Sequence, residues 1–207
     1  MRFIWIRHGK TLWNREFRLQ GSSDILLSKE GVLQSKLLTA SFCKHPQYLF
    51  VSPLKRARQF ARPLAGLFNL HPIIREELRE MSFGNWEGLR YEDMDGETKK
   101  LYLAWYKDPG SIVPPEGESF DALTGRVNSF IAAAQGMMQE GESAAIVTHG
   151  GVIRAAVVLA LGLPAAKAGC LQVDAASVTV LDFYAGTWRL VKFNDTCHLQ
   201  ITEGDKK

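Results

Sequence analysis

Short apolar runs alternate with longer amphipathic stretches along most of the chain. The runs over residues 2–7, 48–52 and 143–148 are nearly continuous in apolar residues, and the segment HPIIRE (71–76) is a further candidate. Continuous apolar runs of this length predict strands that are covered on both faces of a sheet. The sequence therefore predicts four buried strands.

The stretches that follow these runs have helical periodicity. Residues 29–43 begin after Ser28, a good N-cap residue, and residues 54–68 follow Pro53, which is tolerated at a helix start. Residues 152–162 form a third apolar helical stretch. Because strands alternate with helices, we predict an α/β fold, a three-layer α/β/α sandwich with a mostly parallel central sheet.

Two segments depart from this alternation. The segment SVTVLDFYAGTWRLVKFN (177–194) predicts a β-hairpin with its turn at Ala185-Gly186. Residues 89–120 are polar and rich in aromatic residues, and we predict that they form a helical lid insertion, with an amphipathic helix in KLYLAWYK (100–107). We expect residues 1–207 to form a single domain.

Charge and composition exclude several classes of protein. The 25 Lys and Arg residues and 22 Asp and Glu residues are interspersed, with a net charge of +3, so we expect no nucleic-acid partner. No secretion signal or membrane span is recognisable, so we expect a cytoplasmic protein without a membrane partner. Cys43, Cys170 and Cys197 are far apart in sequence, which is typical of reduced thiols. The oligomeric state is not predicted.

Polar residues follow each predicted parallel strand. Arg7 and His8 end the first strand, and Arg56 lies one helical turn beyond the second. Glu80 follows the third strand, and His149 ends the fourth. Because open α/β sheets bind ligands beyond the carboxyl ends of their strands, we expect these side chains to meet at one edge. Guanidinium and imidazole groups together suit a phosphoryl group.

The remaining sequence narrows the chemistry of this site. There is no GxxxxGK[ST] loop, and there is neither a paired-Asp nor an HxH cluster. We therefore expect no metal and no cofactor. Phosphoryl transfer can proceed instead through an imidazole nucleophile, with a carboxylic acid that protonates the leaving oxygen. Glu80 is the candidate acid.

Four segments, in this order, resemble the histidine phosphatase superfamily, also called phosphoglycerate-mutase-like. They are IRHGKTLWN, SPLKRARQFA, LREMSFGNWEG and IVTHGGVIRA, which start at residues 6, 52, 78 and 146. The resemblance spans Arg2 to His198 and implies a phosphomonoester substrate. It implies that His8 is the phosphorylated nucleophile and Glu80 the proton donor. The remaining implied roles are phosphoryl binding by Arg7, Arg56, His149 and Asn14, and substrate contacts by Gln20, Gly21 and Gly150.

Several residues in these segments have competing interpretations. Glu87 could replace Glu80 as the acid or could cap a backbone turn. Ser52 is a candidate for orienting His8. Arg58 and Arg62 are expected to be solvated or ion-paired. The other histidines, His45, His71 and His198, are expected to be structural.

Two positions depart from the family pattern. Lys10 follows the RHG motif where Glu, Gln or Ala is usual, and it either favours an acidic substrate or faces solvent. Phe60 replaces a residue that is often Thr and is expected to pack in the core.

The resemblance favours a phosphatase over a mutase. The segment PPEGES resembles the phosphatase branch. The segment FNDTCHL does so too and is similar to α-ribazole-5′-phosphate phosphatases, which predicts that α-ribazole 5′-phosphate is the substrate. The alternatives are a broad-specificity, phosphoserine or sugar-phosphate phosphatase, a phosphoglycerate mutase, and an inactive homologue that binds phospho-ligands. The aromatic residues of the insertion could stack on a heteroaromatic substrate or pack within the insertion; they are Tyr91, Tyr102, Trp105 and Tyr106.

Overall fold

A computed structural model describes residues 1–42 and 45–200. Its strands are β1 (Arg2–Arg7), β2 (Tyr48–Val51), β3 (Ile73–Ile74), β4 (Ser143–Thr148), β5 (Val178–Tyr184) and β6 (Thr187–Asp195). Its α-helices are α1 (Leu12–Arg15), α2 (Lys29–Ser41), α3 (Lys55–Phe68), α4 (Gly96–Lys107), α5 (Phe120–Met137) and α6 (Gly150–Leu161). Short 3₁₀ helices occur at Glu76–Leu78, Gly84–Trp86, Ala165–Cys170 and Cys197–Leu199.

The six strands form one mixed sheet in the order β3-β2-β4-β1-β5-β6. The strands β1 to β4 are parallel, whereas β5 and β6 form the antiparallel hairpin. Arg7 pairs with Thr148 in the register of β1 and β4. The carboxyl ends of these two central strands are therefore level, and the residues that follow them begin side by side.

Helices cover both faces of the sheet because the central strands are apolar on both faces. Phe3, Trp5 and Ile146 pack in a core that includes residues of α5 and α6. Ile6 and Val147 face the opposite side, in a core formed with α2 and α3. The predicted three-layer α/β/α sandwich with a mostly parallel sheet is confirmed.

The predicted elements differ from the structure mainly at their ends. Helix α2 ends at Ser41, and the predicted end at Cys43 lies outside the described residues. The segment HPIIRE contributes a strand of only two residues, Ile73–Ile74. Helix α6 begins at Gly150 rather than at residue 152 because His149 already occupies the N-cap. The hairpin turn is confirmed, since Ala185 and Gly186 both have positive φ angles of 48° and 76°.

The insertion contains helix α4, which includes the predicted helix in residues 100–107. It packs beside the functional cavity described below; its opening and closing as a lid stays a prediction. Within residues 1–42 and 45–200, none of the helices has both the length and the apolar character that a bilayer crossing requires.

Candidate active site

His8 lies directly beyond β1, and the sheet fixes its backbone. The His8 amide donates to the Thr148 carbonyl over 3.0 Å, and its carbonyl accepts from the Ala176 amide over 3.0 Å. Gly9 allows the next turn to approach α2, because a Cβ on Gly9 would lie 2.6 Å from the carbonyl oxygen of Gly31. The imidazole is therefore held on a rigid strand end rather than on a free loop.

Hydrogen bonds define the tautomer of His8. Its Nδ1 atom lies 2.7 Å from the Gly9 carbonyl oxygen, which can only accept a hydrogen bond. On the other side of the ring, Arg56 Nε donates to His8 Nε2 over 3.1 Å. Nδ1 thus carries the proton, and Nε2 keeps a lone pair. That lone pair accepts the Arg56 hydrogen bond in this structure, and it is the lone pair that a reacting atom would meet.

Arg56 is fully buried, at the start of α3. Its Nη1 atom donates to the Ser23 carbonyl over 2.6 Å and its Nη2 atom to the Gly21 carbonyl over 2.7 Å. Burial lowers the pKa of Arg56 to about 10, although Glu80 opposes this change. The guanidinium therefore remains charged at neutral pH, beside a neutral imidazole.

His149 lies next to His8 and has a different set of contacts. The two ring centroids are 5.1 Å apart, and both side chains are buried. Ser52 Oγ lies 2.7 Å from His149 Nε2, so the prediction that Ser52 orients His8 is wrong. The β2–β4 pairing brings Ser52 to His149 instead. His149 Nδ1 is buried without a hydrogen-bond partner in the described residues.

Burial lowers the pKa of both histidines well below the usual value of 6.5. The charge of Arg56 lowers both further, and Arg7 acts in the same direction. Both rings are therefore neutral at neutral pH. A neutral His8 is a competent nucleophile, and an anion would relieve the excess of positive charge around it.

Arg7 ends β1, and its side chain borders the same space. Its Nη1 atom donates to the Val173 carbonyl over 2.6 Å, whereas its Nε atom is buried without a partner in the described residues. Gly150 lies against it, because a Cβ on Gly150 would be 3.6 Å from Arg7 Nε. An anion that reaches this position meets the guanidinium and the first turn of α6 together.

Glu80 is a carboxyl group that lines the same cavity as Arg7 and Gly150. Its Oε2 atom accepts from the Gly151 amide over 3.2 Å, and its Oε1 atom accepts from the Met81 amide over 3.0 Å. A Cβ on Gly151 would lie 2.5 Å from Glu80 Oε1, so this approach requires a glycine. Arg126 fixes the preceding segment by donating to the carbonyls of Glu77 and Arg79.

Glu87 has a different environment, which favours the structural interpretation. It accepts hydrogen bonds from the backbone amides of Ser22, Ser23 and Phe83, and from the hydroxyls of both serines. Burial acts to raise the pKa of Glu87, but these hydrogen bonds together lower it. An ionised carboxylate with this many donors stabilises the loop at Gly21 and holds no proton for a leaving group.

Gln20, Gly21 and Asn14 complete one side of the site. The Gln20 amide donates to Thr11 Oγ1, and its oxygen lies 2.5 Å from Arg56 Nε. Asn14 Oδ1 accepts from both the amide and the hydroxyl of Thr11, each over 3.0 Å. Because its oxygen is already used, Asn14 can offer a ligand only its amide N–H groups.

A cavity of about 570 Å³ lies beside this cluster, and Gln20 and Gly21 are among the residues that line it. Arg7, Glu80, Gly150 and Asn14 line its inner end. One side, which we call the aromatic wall, consists of Phe83, Tyr102, Trp105 and Tyr106. Tyr102 and Trp105 are stacked with centroids 6.2 Å apart. The cavity thus combines a cationic inner end with an apolar side large enough for a ring system.

Comparisons with known proteins agree with this geometry. A family model described as the histidine phosphatase superfamily, branch 1, matches residues 3–196. The chain belongs to the histidine phosphatase superfamily.

Relatives of this histidine phosphatase carry several substrate names. The adenosylcobalamin/alpha-ribazole phosphatase of Salmonella typhimurium is 31% identical over 188 residues, which cover 90% of this chain and 92% of the relative. Phosphoserine phosphatase 1 of Hydrogenobacter thermophilus is 28% identical over 200 residues, covering 96% and 94%. A mycobacterial glucosyl-3-phosphoglycerate phosphatase solved with VO3 superposes with a TM-score of 0.88 at 30% identity, covering 94% and 99%. This histidine phosphatase is accordingly a phosphoric monoester hydrolase, whose specific substrate these names leave open.

The structure brings the predicted catalytic residues of this phosphatase together; they are His8, Arg7, Arg56, Glu80 and His149. Arg58 and Arg62 are exposed, as predicted. Lys10 forms an ion pair with Glu30 over 2.7 Å, and Phe60 is buried in the core. Among residues 1–42 and 45–200, no three His, Cys, Asp or Glu side chains are grouped to hold a metal ion; metal independence stays a prediction.

Arg154 is a further residue of the site that was not predicted from sequence. Its Nε atom donates to the Leu171 carbonyl over 2.8 Å, and its guanidinium lines the cavity beside Gly150. No carboxylate in the described residues forms an ion pair with it. Arg154 lies four residues after Gly150, so both residues are on one face of the helix. This spacing could have indicated that Arg154 belongs to the site.

Proposed function

We propose that this phosphatase hydrolyses phosphomonoesters through a phosphohistidine intermediate on His8. The observation that carries the proposal is the state of the imidazole. Nδ1 donates to the Gly9 carbonyl, so Nε2 presents its lone pair beside the Arg56 guanidinium. A nucleophile and the cation that stabilises the transferred group are therefore held at the same point.

The neighbouring groups suit the oxygens of a phosphoryl group. Arg7 and Arg56 supply positive charge, and His149 supplies a ring nitrogen that has no partner in the described part of the chain. Asn14 has free amide donors, and Gly150 begins helix α6. We assign phosphoryl binding to these five residues. The Gln20-Gly21 segment holds Arg56 in place, because the side-chain oxygen of Gln20 and the backbone carbonyl of Gly21 both accept hydrogen bonds from its guanidinium.

The reaction then has two balanced steps. In the first, His8 Nε2 attacks phosphorus, the bond from phosphorus to the ester oxygen breaks, and protonated Glu80 gives its proton to that leaving oxygen. In the second, the Glu80 carboxylate takes a proton from water as the water oxygen attacks phosphorus. The nitrogen–phosphorus bond breaks, which releases phosphate and returns His8 and Glu80 to their starting states.

For the substrate we propose α-ribazole 5′-phosphate. The aromatic wall supports a substrate that carries a heteroaromatic ring, because such a ring can stack on tyrosine and tryptophan faces. The cavity volume of about 570 Å³ suits a molecule of this size better than a small amino-acid ester. The Salmonella typhimurium relative is named for α-ribazole.

A second candidate is phosphoserine, and Arg154 is the observation that favours it. A guanidinium without an ion-pair partner beside Gly150 could bind the carboxylate of a phosphorylated amino acid. The Hydrogenobacter thermophilus relative is named for phosphoserine.

Phosphate release from a panel of esters, without added metal, tests these assignments. The panel contains α-ribazole 5′-phosphate, phosphoserine, 3-phosphoglycerate, a nucleoside monophosphate and a sugar phosphate. We expect α-ribazole 5′-phosphate to lead in kcat/KM by about 100-fold, the contribution of a well-filled aromatic pocket. A flat profile indicates a broad-specificity enzyme, and a phosphoserine lead indicates the second candidate. EDTA should leave the rates unchanged, and no turnover of any ester would indicate an inactive homologue.

A further inference from the structure

Ser52 is fully buried at the carboxyl end of β2, and its hydroxyl has few polar neighbours. Within the parts of the chain that the structure describes, Ser52 Oγ forms two hydrogen bonds. One is with His149 Nε2 over 2.7 Å, and the other is from the Leu54 amide over 3.4 Å. These two contacts determine which way the hydroxyl proton points.

The Leu54 amide can only donate a hydrogen bond, so it cannot receive the proton of Ser52. Among the described residues, the one remaining acceptor is the Nε2 lone pair of His149. If Nε2 carried the proton instead, the Ser52 hydroxyl proton and the Nδ1 lone pair would both be buried without a partner, whereas the Nδ1–H form leaves one group unpaired. Ser52 therefore donates to Nε2, and the neutral ring of His149 must carry its proton on Nδ1.

His149 Nδ1 is the nitrogen that has no partner in residues 1–42 and 45–200, and it is buried. As an N–H group, Nδ1 is a donor without an acceptor. Its ring lies close to the nucleophile His8, because the two ring centroids are 5.1 Å apart. A phosphoryl oxygen bound at His8 would satisfy this donor. With the opposite tautomer, Nδ1 would present a lone pair and would repel that oxygen.

We infer that Ser52 is a positioning residue that fixes the Nδ1–H tautomer of His149, so that His149 donates a hydrogen bond to the transferred phosphoryl group. The inference rests on the proposed function for the role of His149, but its tautomer claim is independent of activity. Burial lowers the pKa of His149, with Arg56 contributing, and this supports a ring with a single proton.

The test compares Ser52→Ala with a matched control, Ser177→Ala. Ser177 is also fully buried, but its hydroxyl has no hydrogen-bond partner in the described residues. Both substitutions remove one oxygen from the interior, so they disturb packing to a similar degree. Only Ser52→Ala removes the hydroxyl that donates to His149 Nε2. Ser52→Thr retains a hydroxyl and serves as the conservative rescue.

The first readout is the ¹⁵N chemical shift pattern of His149 in the phosphate-free protein. We expect the wild type and Ser177→Ala to show protonated Nδ1 and unprotonated Nε2, and Ser52→Ala to gain the Nε2–H form. The second readout is competitive inhibition by inorganic phosphate. We expect Ser52→Ala to weaken it about 10-fold, the effect of one lost donor to an oxyanion, and Ser52→Thr to restore part of the loss.

An Nε2–H tautomer in the wild type, or an unchanged tautomer in Ser52→Ala, would overturn the inference. Equal phosphate inhibition of wild type and Ser52→Ala despite a changed tautomer would overturn the role assigned to the Nδ1 donor. The proposed function fails separately, if His8→Ala still hydrolyses phosphomonoesters, and that result would leave the tautomer measurement standing.

Discussion

The reaction centre and the aromatic wall of the same cavity are built in different ways. His8 and His149 follow directly on the two central parallel strands, and His8, His149 and Arg56 are buried. The aromatic wall lies largely on α4, a helix without a buried residue, and Tyr106 is 59% exposed. The chemistry is thus attached to the rigid sheet, whereas the contacts to the rest of the substrate lie on a surface helix. Substitutions in the reaction centre should therefore lower turnover, whereas substitutions in the aromatic wall should change substrate preference.

The largest effect is expected for His8→Ala. Loss of the Nε2 nucleophile should lower kcat by about 10⁴-fold or more for every ester in the panel, because the covalent route is closed. Phosphate release measures turnover, and circular dichroism checks the fold. The exposed His71 provides the control, since His71→Ala should retain wild-type rates. Substantial hydrolysis by His8→Ala would rule out the phosphohistidine route.

The second-largest effect is expected at Glu80. Substitution there should lower turnover, whereas substitution of Glu87, seven positions later in the sequence, should lower stability. Glu80→Gln should lower kcat by about 10²- to 10⁴-fold, because a proton donor is lost while the amide preserves the shape. Glu87→Gln should instead destabilise the protein by about 1.5–3 kcal/mol, because the charged acceptor of several hydrogen bonds is removed. Steady-state kinetics and urea unfolding of both variants measure this contrast. The opposite pattern would make Glu87 the acid.

The third effect concerns substrate preference. Tyr106→Leu should lower kcat/KM for α-ribazole 5′-phosphate about 10-fold through lost stacking, and should leave glycerol phosphate unaffected. Tyr91→Leu is the matched control, because Tyr91 is an exposed tyrosine of the same insertion that does not line the cavity. If both variants behave alike, the aromatic wall does not contact the substrate.

The smallest effect is a pH dependence of stability that comes from the reaction centre. His8 and His149 have pKa values well below 6.5 in the folded state, because burial and then Arg56 disfavour their protonation. The unfolded chain therefore binds more protons below pH 6.5, and the free energy of unfolding should fall there by up to about 1.4 kcal/mol per pH unit for each histidine. Urea unfolding above and below pH 6.5 measures the slope.

His149→Gln should reduce that slope, whereas His71→Gln at an exposed position should not. Catalytic activity should also fall as the pH is lowered. Because His8 stays neutral below the usual histidine range, protonation of the nucleophile should reduce kcat/KM only at more acidic pH.

The central strands and the groups at their ends could be predicted from sequence because a continuous apolar run specifies a buried parallel strand. The residue after such a strand must then lie at the binding edge of the sheet. That is why Arg7, His8 and His149 were found together with Arg56 and Glu80. The apolar spacing of Phe120, Leu123 and Val127 in α5 is likewise typical of a helix, although no helix was predicted there.

Side-chain partners across the sheet could not be predicted in this way. Ser52 contacts His149 rather than His8 because β2 pairs with β4 and does not neighbour β1. Arg154 enters the cavity because the 165–171 segment packs near α6 and supplies the Leu171 carbonyl. Both contacts depend on strand order and loop packing, which the hydrophobic pattern does not specify.

The central claim is that phosphate passes through His8 Nε2, and a rapid-quench experiment tests it most directly. The enzyme is mixed with a ³²P-labelled phosphomonoester, quenched with alkali, digested and mapped by mass spectrometry. We predict an acid-labile, alkali-stable phosphoryl group on Nε2 of His8 that accumulates within one turnover and is absent from His8→Ala. Turnover with no labelled protein at any time, or with the label on another residue, would contradict it.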